Sequence, residues 1–242
     1  LACFALAAVG FADITTTQGT NLPARRVDPR AMEMQMAVLK DQDLNKVEEL
    51  LRQGVDINAP IGCGTYAPLD GAIDRQNLEM LKFLLAHGAK PQGRELADAA
   101  FYDNPQTALD FVKVLLAAGV DPNATNRYSN ALCSAAYQDN LEVLALLLAQ
   151  PRIKVDAPDV DGYTALMWAA DHSSLDIVNL LIKAGAKTDL KNSRGETAAD
   201  LAKKGIATRQ AIIAKLQPKP RKPDRIAAET PGATGLSQAT AN

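Results

Sequence analysis

The chain has 242 residues, 47% hydrophobic and 22% charged, with a formal net charge of −2. That balance suits one soluble body or two small domains. It holds no run near the roughly 20 apolar residues of a spanning helix, and it carries no overall basic footprint for nucleic acid. Only 5% is aromatic, including five Tyr and one Trp, so the positions of these few rings matter. Two His and three Cys leave little for a metal site. In chain order, residues 1–12 read LACFALAAVGFA, an uncharged apolar run of signal-peptide size. Small Gly10 and Ala12 stand at the −3 and −1 positions of a cut before Asp13, which predicts a periplasmic or secreted protein. A first helix of the fold, or the end of a longer anchor, fits the same residues. Residues 13–27 read as a polar linker.

From residue 28 to 217 the sequence repeats. Aliphatic pairs recur at Leu50-Leu51, Leu84-Leu85, Leu115-Leu116, Leu147-Leu148 and Leu181-Ile182, spaced by 34, 31, 32 and 34 residues. Each is followed at a constant interval by Gly54, Gly88, Gly119, Pro151 or Gly185. A period in this range marks stacked supersecondary units. Helices over Ala31–Lys40 and Leu44–Gln53 form a first unit. In later units Asn130, Thr164 and Thr197 suit helix N-caps, because their side-chain oxygens accept free backbone N–H groups. Pro68 suits a first helical turn. Small pairs such as Ala135-Ala136 and Ala169-Ala170 permit close packing, and a left-handed glycine ends the second helix. The third unit departs in its spacing, which predicts a clipped turn finger and a lengthened helix-helix loop over Asp103–Thr107. Helices over Ala198–Lys204 and Ala207–Leu216 close the array as a divergent cap, giving six units. The stretch 218–242 is rich in Pro, Gly, Ala, Ser and Thr without apolar periodicity, and reads as a disordered, solvated tail of charge +2.

These residues resemble the ankyrin repeats, whose units run to about 33 residues with a T-P-L-H-x-A signature. The match is close in TALMWAA (Thr164–Ala170), fair in APLDGAI (Ala67–Ile73) and NALCSAA (Asn130–Ala136), and covers about three-quarters of the chain. The resemblance implies an all-α repeat solenoid of stacked helix-turn-helix units with short β-turn fingers, and a concave face that binds other proteins. The signature His is replaced by Asp70, Cys133 and Met167, which puts its usual bonds between repeats in question.

The sequence holds no catalytic constellation. Gly62, Gly64 and Ala67 have the spacing of a dinucleotide loop but lie in a turn without a βαβ unit. Asp159–Gly162 resembles a calcium loop, yet the register puts Ala157 first and Trp168 twelfth, where carboxylates belong. His87 and His172 lack partners at ligand spacing. Cys63 and Cys133 sit two units apart, on the order of 20 Å with helix axes roughly 8–10 Å apart, too far for a disulfide. No cofactor or metal is implied.

Aligning the units puts all five tyrosines on the expected binding face: Tyr66 and Tyr163 before first helices, Tyr128 on a turn, and Tyr102, beside Phe101, and Tyr137 after the small-residue pairs. Tyr is favoured at binding hot spots for its rigid area and polar tip. Covering of neighbouring turns is the other reading of these rings. Trp168 fits packing between repeats. Asp74, Arg75, Gln138, Asp171 and His172 would supply a polar rim. Without the tail, at +2, and the leading segment, at +1, the array carries −5, which favours a basic partner. The reading is a monomeric, non-enzymatic scaffold for a protein partner, with no nucleic acid and no membrane span in the mature chain. Its sharper form is an inhibitor or immunity-type protein for a secreted enzyme. The alternatives are an enzyme or small-molecule binder using Cys63 or the 103–107 loop, and a structural spacer.

Overall fold

The computed structural model describes residues 29–60, 66–172 and 174–203, and residue 216. The leading segment, the linker, the tail, Gly62, Cys63 and Gly64 lie outside the described residues. So does most of the second helix expected at the C-terminal end.

Among the described residues the secondary structure is helical, with one isolated antiparallel bridge between Thr125 and Asn130. The helices alternate as inner and outer members of successive units. They are α1 (Pro29–Met36) with α2 (Leu44–Arg52), α3 (Pro68–Asp74) with α4 (Leu78–Ala86), and α5 (Arg94–Ala100) with α6 (Pro105–Ala117). Then come α7 (Ala131–Tyr137) with α8 (Leu141–Leu148), α9 (Ala165–His172) with α10 (Leu175–Lys183), and α11 (Ala198–Lys203). Inner helices pack on inner ones, α5 on α7 and α7 on α9, and outer helices on outer ones, α6 on α8 and α8 on α10. One apolar cluster runs through every unit, from Met34 to Leu216. A helix this short is not stable alone in water, so each unit depends on the surface its neighbours cover.

Local sequence sets the helix ends. The side chain of Asn130 accepts the Cys133 N–H at 2.9 Å, and Asn77 and Asn140 cap α4 and α8 in the same way. Thr164 Oγ1 faces the Met167 N–H at 3.4 Å, and Thr197 exchanges bonds with Asp200 as a reciprocal box. Pro68 opens α3. The small pairs Ala99-Ala100, Ala135-Ala136 and Ala169-Ala170 are fully buried where inner helices approach one another. In the fourth unit the left-handed residue is Arg152 (φ 65°), one step after Pro151.

Two expectations are corrected. The helix expected over Ala31–Lys40 begins at Pro29 and passes at Ala37–Asp41 into a π-helical turn. In the third unit the loop gains a single residue over the three that join α3 to α4, and the rest of the insertion is helix. Four residues, Phe101–Asn104, join α5 to α6, and the remainder extends α6 to 13 residues against nine in α4. Asn104 accepts the Thr107 N–H at 2.9 Å and Pro105 opens the helix, so the chain is wound where an open loop was expected. The finger before α5 is clipped as expected. There the buried Glu95 carboxylate takes the N–H groups of Gln92 and Gly93 at 3.1 and 2.7 Å.

Gly93 shows how tightly that clipped turn is held. Its φ is +100°, and an added Cβ would lie 2.7 Å from Ala124 Cβ of the next unit. Gly88 has a similar φ of +91° but open space around it. Gly88→Ala should therefore cost only the left-handed penalty, about 1 kcal/mol, whereas Gly93→Ala adds an overlap and should cost about 2 kcal/mol. Urea denaturation of the two variants distinguishes them, and equal losses would refute the close approach.

Candidate partner-binding face

The fingers between units are joined edge to edge. Val160 N–H donates to Tyr128 O at 3.1 Å, and Ser193 N–H to Asp161 O at 3.0 Å, so three successive turns form one ridge. Asp159 organises the middle turn. Its Oδ1 accepts the Asp161 and Tyr163 N–H groups at 2.9 and 2.8 Å, and its Oδ2 accepts the Trp168 indole N–H at 2.8 Å. Burial raises the Asp159 pKa, and the indole bond offsets part of that. On the outer side of the fingers, Asn58, Asn123 and Asp156 accept the N–H groups of Lys90, Lys154 and Lys187 in the following unit, a ladder that keeps the units in register.

Rings from three units meet beside this ridge. Phe101 stacks on Tyr137 with centroids 5.3 Å apart, Tyr137 meets Trp168 edge-on at 5.0 Å, and Trp168 stacks on Tyr163 at 4.5 Å. His172 packs against Tyr137 at 4.6 Å. Between the fingers and these rings lies a shallow, solvent-open groove of about 260 Å³, lined among others by Phe101, Tyr128, Tyr137, Val160 and Trp168. A smaller hollow of about 190 Å³ continues along the fingers past Thr125, Asn126 and Pro158.

The structure separates the expected contact residues into two groups. Phe101, Tyr128 and Tyr137 are exposed, at 50, 64 and 37%. Arg75 and His172 are exposed as well, and Asp171 is half-buried. Tyr163 and Tyr102 serve the array itself, which corrects the expectation that all five face a partner, and Tyr66 is half-buried at its edge. Tyr163 is only 5% exposed, packed between Trp168 and the Arg194 guanidinium, which lies 5.4 Å from its ring. The tight turn at Asp159 draws this ring under the finger. Tyr102 donates its hydroxyl to Ile73 O at 2.5 Å and meets Phe111 edge-on, bracing the third unit on the second. Tyr66 donates to Asp74 Oδ2 at 2.5 Å, so both are engaged with each other. Burial raises the phenol pKa of both tyrosines, and Asp74 adds to the effect. Gln138 is likewise a tie, donating to Phe101 O and Asp103 Oδ1. Trp168 packs between repeats as expected and also lines the groove.

Sequence reasoning weighed Asp159–Gly162 only as a calcium loop and left Asp159, Val160, Asp161 and Ser134 off the binding face, yet all four line the groove. Val160, 63% exposed at a finger tip, was visible as an apolar residue in the turn sequence DVDG. The replaced signature histidines also find partners. Asp70 Oδ1 accepts Arg94 Nε at 2.8 Å and Asp70 Oδ2 accepts Nη2 at 2.5 Å, and the Cys133 thiol faces the Ala157 and Tyr163 carbonyls at 3.6 and 3.5 Å. Met167 offers packing alone. Burial pushes the Cys133 thiol up to about 12, so it is not a nucleophile at neutral pH. Among the described residues no three His, Cys, Asp or Glu converge to hold a metal, and no helix is long and apolar enough to cross a membrane.

Comparisons with known proteins agree with this architecture. A family model described as ankyrin repeats in three copies matches residues 96–192. A chain of the solved complex of a predatory endopeptidase from Bdellovibrio bacteriovorus with an immunity protein superposes with a TM-score of 0.62 at 30% identity, covering 75% of this chain and 96% of that one. The crystal structure of the ankyrin repeat protein EF0377 gives 0.63 at 27% identity, covering 77% and 96%. The ankyrin repeat and KH domain-containing protein mask-1 of Caenorhabditis elegans is 30% identical over 146 residues, 60% of this chain. The chain spans between 5 and 21% of the length of the first curated relatives it matches.

Proposed function

Because the chain belongs to the ankyrin repeat family, whose repeats imply protein–protein interaction and whose fold is typically non-catalytic, we propose that it is a non-enzymatic inhibitor or immunity-type protein. It would occlude a secreted enzyme with its finger ridge and inner-helix face. The observation that carries this is the exposed trio Phe101, Tyr128 and Tyr137 gathered beside the fingers, since large rings left in water mark contact sites more than stability. The similarity to a chain from an endopeptidase–immunity protein complex supports the inhibitory form. Exposed carboxylates at Asp74, Asp103, Asp139 and Asp161 favour a partner with a basic surface. The leader-like residues 1–12 agree with export to the periplasm or beyond, and the protein acts as a monomer.

The groove is shallow, which weighs against the small-molecule alternative, and Pro105–Thr107 is the first turn of α6 instead of a free loop. Cys63 lies outside the described residues. The test is to capture exported proteins of the source organism on the immobilised chain, identify the bound enzyme and titrate its activity. Stoichiometric inhibition is expected, with Phe101→Ala and Tyr137→Ala each weakening binding about tenfold. A captured enzyme whose activity is unaffected, or equal binding by both variants, would sink this reading.

A further inference from the structure

The finger ridge is broken at the third unit. The backbone N–H groups of Lys90, Lys154 and Lys187 hold equivalent places in the outer ladder. Ten residues, 155–164 and 188–197, lead from the latter two to α9 and α11, but only three, 91–93, lead from Lys90 to α5. The third finger is a stub, and its loss leaves a donor without an acceptor. Asn126, Asp159 and Asn192 each accept the N–H two residues on, which aligns their turns. In the fifth and sixth units the residue between, Val160 or Ser193, gives its N–H to the preceding finger. Arg127 holds that position in the fourth unit, and among the described residues its N–H has no acceptor, although those of Asn126, Tyr128 and Ser129 are all paired. Arg127 and Tyr128 are both exposed, so this edge of the ridge stands open.

Beside the edge lies a carboxylate with spare capacity. Asp98 on α5 is half-buried, its Oδ1 accepts Asn126 Nδ2 at 2.7 Å, and its Oδ2 has no partner among the described residues yet is not sealed from solvent. Burial raises the Asp98 pKa, and the charges of Asp74, Asp70 and Glu95 act in the same direction. Arg94, on the same helix, is already held by Asp70. We propose that the notch left by the stub finger receives a turn of the protein partner, whose backbone carbonyl accepts the Arg127 N–H and whose basic side chain reaches Asp98 Oδ2. The partner thereby supplies the missing finger. Main-chain bonds along an open edge give affinity, and a charge beside them gives selectivity. The ridge itself shows the geometry twice, since Tyr128 O and Asp161 O are the carbonyls that fill this place for the next two units. This inference rests on the partner-binding reading above and names what the partner inserts.

The test follows backbone amides of the 15N-labelled full chain. In the chain alone, the Arg127 N–H should exchange with solvent about tenfold faster than those of Val160 and Ser193. Equal protection would mean that the chain already fills the notch, and would overturn the proposal. The probe is a synthetic finger, residues 124–131 closed by a disulfide between added terminal cysteines outside the Thr125–Asn130 bridge. It should give a saturable shift at the Arg127 amide of the chain and none at Ser193, whose N–H is already paired. The peptide's own Arg127→Gln variant should bind about threefold more weakly, and Asp98→Asn in the chain should weaken the parent peptide by a similar factor while leaving the variant unchanged. A chain in which 91–93 is replaced by the sequence of 155–164 closes the notch and should bind neither peptide. Absence of a saturable shift at Arg127, or the same shift in the lengthened chain, overturns the notch, and full binding by Asp98→Asn overturns the basic contact. Should the lengthened chain not fold, exchange and titration of the parent decide alone. Peptide binding alongside failed enzyme capture supports the notch and removes only the inhibitory reading. A captured enzyme held equally well by the lengthened chain leaves the inhibitory reading and removes the notch.

Discussion

Arg94→Ala is expected to destabilise the protein by about 3 kcal/mol, at the lower end of what removing one partner of a buried ion pair costs. The Asp70 side chain is 8% exposed, and among the described residues its acceptors are filled by the Ala67 N–H and by Arg94, through a two-pronged contact from the third unit to the second. Truncating the arginine leaves a buried carboxylate facing one backbone donor. The lower end applies because the Arg94 side chain keeps 25% of its surface in water, so the pair is partly screened. Asp70→Ala should cost less, about 1–2 kcal/mol, since the guanidinium already keeps a quarter of its surface in water while the carboxylate is buried. The double variant should then show a coupling of at least about 1 kcal/mol in a mutant cycle. The pair also spans an interface between units, and an array's stability is close to a sum over such interfaces. Arg94→Ala should therefore lower the denaturant slope as well as the midpoint, as the first two units begin to unfold apart from the rest. A loss under about 1 kcal/mol with the slope unchanged would show the pair to be decorative.

That ion pair marks where sequence reading stopped. The period, the aliphatic pairs, the caps at Asn130, Thr164 and Thr197 and the alanine shelves were legible because each is encoded within a few residues of itself. Asp70 was visible only as a missing histidine, because its partner stands 24 residues further on and meets it only through the register of the next unit. The tyrosines failed for the same reason. Nothing near Tyr102 in sequence announces that its hydroxyl reaches Ile73 O, 29 residues back, or that the turn at Asp159 tucks Tyr163 inward. The third unit was different, since Asn104-Pro105 is a helix-start signature and its spacing could have been read as a longer helix. Within the candidate face, Phe101, Tyr128 and Tyr137 were legible as rings the core does not need. The Arg127 N–H, open among the described residues, was not, because an unpaired donor can be recognised only after every neighbour is placed.

The second large effect concerns a residue the sequence placed on the binding face. Tyr163→Ala should cost about 3 kcal/mol, the range for removing a buried ring, because the side chain is 5% exposed and fills the space between Trp168 and Arg194. Tyr163→Phe keeps the ring and its stack, and should stay within about 1 kcal/mol of the parent. Tyr137→Ala removes an exposed ring and should change stability by less than about 1 kcal/mol while weakening the partner. Trp168 reports the difference without any partner. Losing the ring stacked on its face opens the indole to water, so its emission should shift to the red in Tyr163→Ala and hold its position in Tyr163→Phe. If Tyr163→Ala melted like the parent yet lost the partner, the ring would be a contact after all, and the division between bracing and binding tyrosines would fall with it. If it melts early and its remaining folded fraction binds normally, the ring's role is to hold Trp168, and through Trp168 the floor of the face, in place.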